Sequence, residues 1–116
     1  MKRAVIAGIT TIEHSTMMTE ETMNLLIERE TYYVPTVTAG KSVIVSSDSQ
    51  ILSIHYYSES LGDPMIQDTF SNAYQRGIKI TFGTDVGVFT HGKNAKELIS
   101  MVEAGMIPAQ ILGMAD

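Results

Sequence analysis

A phrase in which a helix closes on glycine and a β-branched run starts at once occurs twice in these 116 residues, and it constrains the fold more than any other feature. Ala4-Val5-Ile6-Ala7-Gly8-Ile9 leads into Thr10-Thr11-Ile12-Glu13-His14, and Ala73-Tyr74-Gln75-Arg76-Gly77-Ile78 leads into Lys79-Ile80-Thr81-Phe82-Gly83-Thr84-Asp85. Glycine just past a helix end adopts the left-handed conformation that closes it, and Ile, Thr and Phe suit a strand. A weaker third copy runs from Leu25 through Thr31 to Thr36, with Glu30 where the glycine would stand. Helices feeding strands in this way predict an α/β fold with parallel strands over 9–14, 31–36 and 78–84, joined by right-handed crossovers.

The helix ends are written in the same local code. Thr19 caps a helix whose first turn carries Glu20 and Glu21, with Met23, Leu26 and Ile27 as its apolar stripe. Asp63-Pro64 opens another, with Ile66, Phe70, Ala73 and Tyr74 on one face. Asn94 with Glu97 three residues on resembles a capping box, ahead of a Leu98, Met101, Val102 stripe that stops at Gly105. Pro108 begins a last helix. Most of the eight methionines fall at helix-face spacing and are expected in the core.

Two features make the chain incomplete as a fold. Residues 1–7 read as the last turns of a longer helix, and three parallel strands are too few to cover both faces and both edges of a sheet. A larger sheet or barrel, with association to supply it, is the expectation. The serine-rich connection from Thr38 to Gly62, with an ambiguous helix over Ile51 to Tyr57, is long for a βα loop.

Composition excludes several classes of function. Eight Lys/Arg against 13 Asp/Glu, with no basic cluster, leave no electrostatic footprint for nucleic acid. No apolar run approaches the ~20 residues of a membrane span. The basic start Met1-Lys2-Arg3 is followed by an apolar stretch that Thr10 and Thr11 break, so it is not read as a signal peptide, and a cytoplasmic location is expected. Without cysteine, a metal must be held by His and carboxylate.

His14 and Asp85 both terminate predicted strands, and in parallel α/β structures the strand C-termini form the functional face. An imidazole and a carboxylate suit a divalent ion such as zinc, and Asp85 can also accept a proton from the attacking water. From spacing alone, a hydrogen-bonded histidine and a turn-capping aspartate are the favoured reading. His55, in the long connection, reads as a polar loop residue. Glu13 points to the face opposite its neighbours and reads as structural. Gly83 and Gly87 flank Asp85, where backbone can approach a ligand closely.

Thr11-Ile12-Glu13-His14, Val34-Pro35-Thr36, the segment from Gly77 to Leu98 and Met101-Val102-Glu103-Ala104-Gly105-Met106-Ile107-Pro108 together resemble the C-terminal half of the metal-dependent amidohydrolases, nearest their imidazolonepropionase-like and Xaa-Pro dipeptidase-like branch. The resemblance implies a partial (β/α)8 barrel of TIM type, residues 1–116 supplying strands six to eight with their helices. It implies His14 as the strand-six metal ligand, Asp85 as the strand-eight ligand and proton shuttle, and His91 beside the substrate. Ser15 stands where that family often has glycine. The family's strand-one histidines, strand-four carboxylate and strand-five histidine have no counterpart in this chain, and two ligands do not hold zinc in a catalytic geometry.

The reading is therefore part of a metal-dependent hydrolase for amide-type C–N bonds, in a cyclic amide or dipeptide-like small molecule, with zinc as the expected metal of the complete enzyme. The alternative is a catalytically silent α/β fragment that folds as a homo-oligomer or against the missing barrel half. A small module binding an anion at the Gly-rich loop after Asp85 ranks last, because no Lys or Arg starts that loop.

Overall fold

The computed structural model describes residues 1–40 and 65–114. Its elements are α1 (Lys2–Ile6), β1 (Thr11–Glu13), α2 (Glu20–Glu28), β2 (Tyr32–Val34), a helical turn over 37–40, a helix α3 over 65–75, α4 (Ala95–Glu103) and α5 (Pro108–Leu112). The helix start expected at Asp63-Pro64, the segment Ile51 to Tyr57 and His55 lie outside the described residues.

Four helix ends share one closing geometry. Gly8, Glu30, Gly77 and Gly105 have φ of 89°, 54°, 77° and 103°. In each case the left-handed residue donates three residues back and its successor five back: Gly8 to Val5 and Ile9 to Ala4, Glu30 to Ile27 and Thr31 to Leu26, Gly77 to Tyr74 and Ile78 to Ala73, Gly105 to Val102 and Met106 to Met101. This is the Schellman arrangement, which satisfies the last helical carbonyls. Three of these turns feed the three extended segments, so the repeated phrase is one structural unit used three times, with Glu30 bearing the strain that glycine avoids elsewhere.

β1 and β2 pair in parallel, with Thr11 opposite Tyr32, Ile12 opposite Tyr33 and Glu13 opposite Val34. The third segment joins β2 at a single parallel bridge, Tyr33 to Ile80. Tyr33 N donates to Lys79 O at 2.8 Å and Thr81 N donates to Tyr33 O at 3.0 Å. The strand order expected from sequence is thus found, while the strands are shorter than 9–14, 31–36 and 78–84. Beyond the bridge the third segment stays close to β2: a Cβ on Gly83 would lie 2.4 Å from Val34 Cγ1. Only glycine leaves room there for the Val34 side chain.

Ile12, Tyr33 and Ile80 form a buried row across the sheet. They belong to one apolar cluster with Val5 of α1, Met23 and Leu26 of α2, Phe70 and Ala73 of α3, Met101 and Ala104 at the end of α4, and Ile111 of α5. All five helices therefore lie against one face. By strand alternation Thr11, Glu13, Tyr32 and Val34 occupy the other face, where Val34 is buried. Tyr32 and Glu13 are exposed, Thr11 Oγ1 donates to Glu13 Oε1 at 2.7 Å, and Lys79 Nζ lies 5.6 Å from the Tyr32 ring centre. Parallel sheets are ordinarily covered on both faces; among the described residues, helices cover this one on one face.

Two helix faces differ from the expected stripes. In α2, Met23 and Leu26 are buried but Ile27 is 43% exposed. In α4 the buried positions are Glu97, Ser100 and Met101, while Leu98 is half-buried and Val102 exposed. The inner face is rotated by about one residue because Glu97 takes a place in the core. Of the expected methionine core, Met23, Met101 and Met106 are buried, whereas Met17 lies at the surface.

Candidate active site

Because the three extended segments are parallel, the chain leaves all of them on the same side of the sheet. Each exit contains a non-glycine residue in the left-handed region: His14 (φ 65°) with Ser15 (φ 49°) after β1, Thr36 (φ 47°) after β2, and Asp85 (φ 51°) after the third segment. Such backbone costs on the order of 1–3 kcal/mol per residue and concentrates at ligand and catalytic sites. Ser15 occupies the position at which the resemblance expects glycine, and it adopts the conformation glycine would take.

His14 is held at three points. Its N–H donates to Val34 O at 3.0 Å, its carbonyl accepts from Tyr33 Oη at 3.2 Å, and its ring Nδ1 lies 2.8 Å from Thr36 Oγ1. Tyr33 is fully buried, and burial together with the nearby Glu97 carboxylate pushes its hydroxyl well above the ordinary tyrosine range. Tyr33 is thus a neutral donor that ties the core to the strand end.

Glu97 was expected to complete a capping box with Asn94. Instead Asn94 has helical backbone and makes no side-chain cap. Glu97 is fully buried, and its two oxygens each accept one backbone N–H, Val37 at Oε1 and Thr38 at Oε2, both at 2.7 Å. A buried carboxylate is tolerable only when it is paired or hydrogen-bonded in this way. Thr38 Oγ1 also lies 3.3 Å from Ser100 Oγ. Sequence reasoning missed Glu97, Thr36 and Tyr33 as supports of the strand ends; the available signal was a carboxylate at the same helical spacing as Met101 and Ala104.

Asp85 and His91 are exposed, His91 in a turn closed by Gly92 (φ 82°). Asp85 O accepts from Val88 N at 3.3 Å, which shapes the turn that follows the third segment. Among the described residues no group of three or more His, Asp or Glu side chains comes together as a metal site. An imidazole and a carboxylate are donors a divalent ion takes, so the residues present fit part of such a site and need further ligands to complete one.

Among solved structures, the chain is similar to a Xaa-Pro dipeptidase with methionine bound in its active site: 44% identity, TM-score 0.86, over 98% of this chain and 29% of that one. It is also similar to ochratoxinase from A. niger, at 25% identity and TM-score 0.80, over 96% of this chain and 25% of that one. Uncharacterised proteins of Mycobacterium bovis and Mycobacterium tuberculosis are 29% identical over 94% of this chain. The chain spans 30% of the length of these curated relatives. No family model matches it.

Proposed function

We propose, on the premise that this chain shares sequence and fold with two amidohydrolase-superfamily proteins, that it supplies strands six to eight of a (β/α)8 barrel in a metal-dependent hydrolase of amide-type C–N bonds. The observation that carries this reading is the 44% identity and TM-score of 0.86 over almost the whole chain. Among the described residues one face of the sheet carries no helix, which supports the barrel, since in that fold helices cover the outside and side chains of the strands fill the inside.

In this reading His14 and Asp85 are donors to a divalent metal, for which zinc is the first candidate, the remaining ligands coming from outside residues 1–116. When bound, the metal supplies Lewis-acid polarisation of the scissile carbonyl and lowers the pKa of the attacking water. Asp85 accepts the proton of that water and returns it to the leaving nitrogen. His91, exposed beyond the third segment, contacts the substrate, a cyclic amide or dipeptide-like small molecule. Among the described residues no helix is long and apolar enough to cross a membrane.

The test is reconstitution. Joined to the barrel segments that carry the other ligands, the chain is expected to give metal-dependent hydrolysis of a dipeptide or cyclic amide. Asp85→Asn should abolish it, because Asn tolerates the left-handed backbone but cannot take the proton. His14→Ala should weaken metal retention. Hydrolysis indifferent to Asp85→Asn refutes the mechanism. A properly assembled but silent protein favours the second reading, an inert α/β piece that folds by self-association, which the face left without a helix among the described residues also supports.

A further inference from the structure

Glu97 lies 60 residues from Val37, yet it fixes the two peptide units that follow Thr36. Thr36 is buried and β-branched, with φ of 47°, a conformation such a residue does not hold unaided. Charge-assisted bonds of 2.7 Å to successive amides are strong enough to hold it. Gly40 N, donating to Thr36 O at 3.2 Å, closes the same turn from the other side. The turn sets the Thr36 hydroxyl 2.8 Å from His14 Nδ1. With its backbone already held by Val34 and Tyr33, the imidazole has Nδ1 engaged and Nε2 without a partner among the described residues.

We propose that Glu97 is a positioning residue for His14: its carboxylate holds the Thr36 turn, and the Thr36 hydroxyl holds the ring by Nδ1, leaving Nε2 as the nitrogen that takes a ligand. This deepens, and rests on, the reading of His14 as a metal donor. A ligating histidine is ordinarily oriented through its other ring nitrogen. Here that orientation is set from α4, so the exits of β1 and β2 are tied to that helix through one buried carboxylate.

Long-range 1H–15N spectra of the 116-residue chain at about pH 8, where an ordinary imidazole is neutral, read the tautomer of His14 directly. The Nδ1–H tautomer, in which Nδ1 donates to the Thr36 hydroxyl and Nε2 keeps its lone pair, is expected in the wild type and in Thr36→Ser, which keeps the hydroxyl; the Nε2–H tautomer in the wild type overturns the proposal. Thr36→Val and Glu97→Gln should give averaged shifts of a tautomer mixture. Unchanged His14 shifts in folded Thr36→Val or folded Glu97→Gln overturn the proposal. Should Glu97→Gln fail to fold, the wild type still decides: the Val37 and Thr38 amide protons should resonate downfield and exchange slowly, and free exchange at both overturns the clamp. Zn2+ added to the chain joined to the barrel segments that carry the other ligands tests the underlying reading separately. It should perturb Nε2 of His14, with affinity about 10-fold weaker in Thr36→Val. A ring that Zn2+ leaves unmoved refutes the metal role of His14, whereas the tautomer comparison still judges the positioning.

Discussion

At the scale of single residues, left-handed backbone marks both structural and functional positions, and substitution separates them. Glu30 closes α2 in a geometry that glycine fills at the ends of α1, α3 and α4, and its side chain makes an exposed ion pair with Lys79 at 3.0 Å. Such a pair is too weak to offset relief of the backbone. Glu30→Gly should therefore stabilise the chain by about 0.5–1 kcal/mol in urea unfolding. Ser15→Gly should act in the same direction. Tyr33 carries a pH dependence. Its raised folded pKa means the native state holds the phenolic proton more tightly than the unfolded chain does. The stability this contributes is fully present below the ordinary value of about 10 and is lost as pH rises towards the folded value. The urea midpoint of the wild type should fall above about pH 10, and less steeply in Tyr33→Phe; equal slopes would show that Tyr33 does not titrate with unfolding.

At the scale of elements, what was legible in the sequence was what neighbours along the chain decide. The Thr19 cap, whose Oγ1 accepts from Thr22 N at 3.3 Å, and the glycine stops at Gly8, Gly77 and Gly105 depend on residues within a turn of each other. Strand order followed from those stops. Strand length did not, because a ladder exists only where two segments pair, and the third segment keeps one bridge to β2. The face of α4 was misread for a similar reason: nothing near Glu97 announces that its partners are the amides of Val37 and Thr38. Of the candidate site, the positions of His14 and Asp85 at strand exits were legible, and the groups that hold His14 in place were not. The contact of the third segment with β2 is open to a direct test. A methyl group at Gly83 must displace Val34, so Gly83→Ala should cost about 1–3 kcal/mol and loosen protection of the Thr81 amide in hydrogen exchange.

At the scale of the molecule, the described helices lie on one face of the sheet, Tyr32 and Glu13 on the other are exposed, and Ile99, Ile107 and Leu112 add apolar side chains more than half exposed on the helical side. Exposed apolar side chains together with unpaired strand edges favour association. The 116-residue chain is expected to sediment as an oligomer at micromolar concentration, and to be drawn into a one-to-one complex by a segment carrying the preceding barrel strands. A stable monomer that ignores such a segment would count against the barrel. The burial of Glu97 also orders events in time. A carboxylate stripped of water before its two amide donors stand in place is costly, so α4 cannot settle until the turn at 36–38 exists. Docking of α4 then belongs to the late side of the folding barrier. Substitutions at Glu97 should accelerate unfolding and leave the refolding rate nearly untouched, a φ-value close to zero, so that the strand exits are the first part of the native state to come apart.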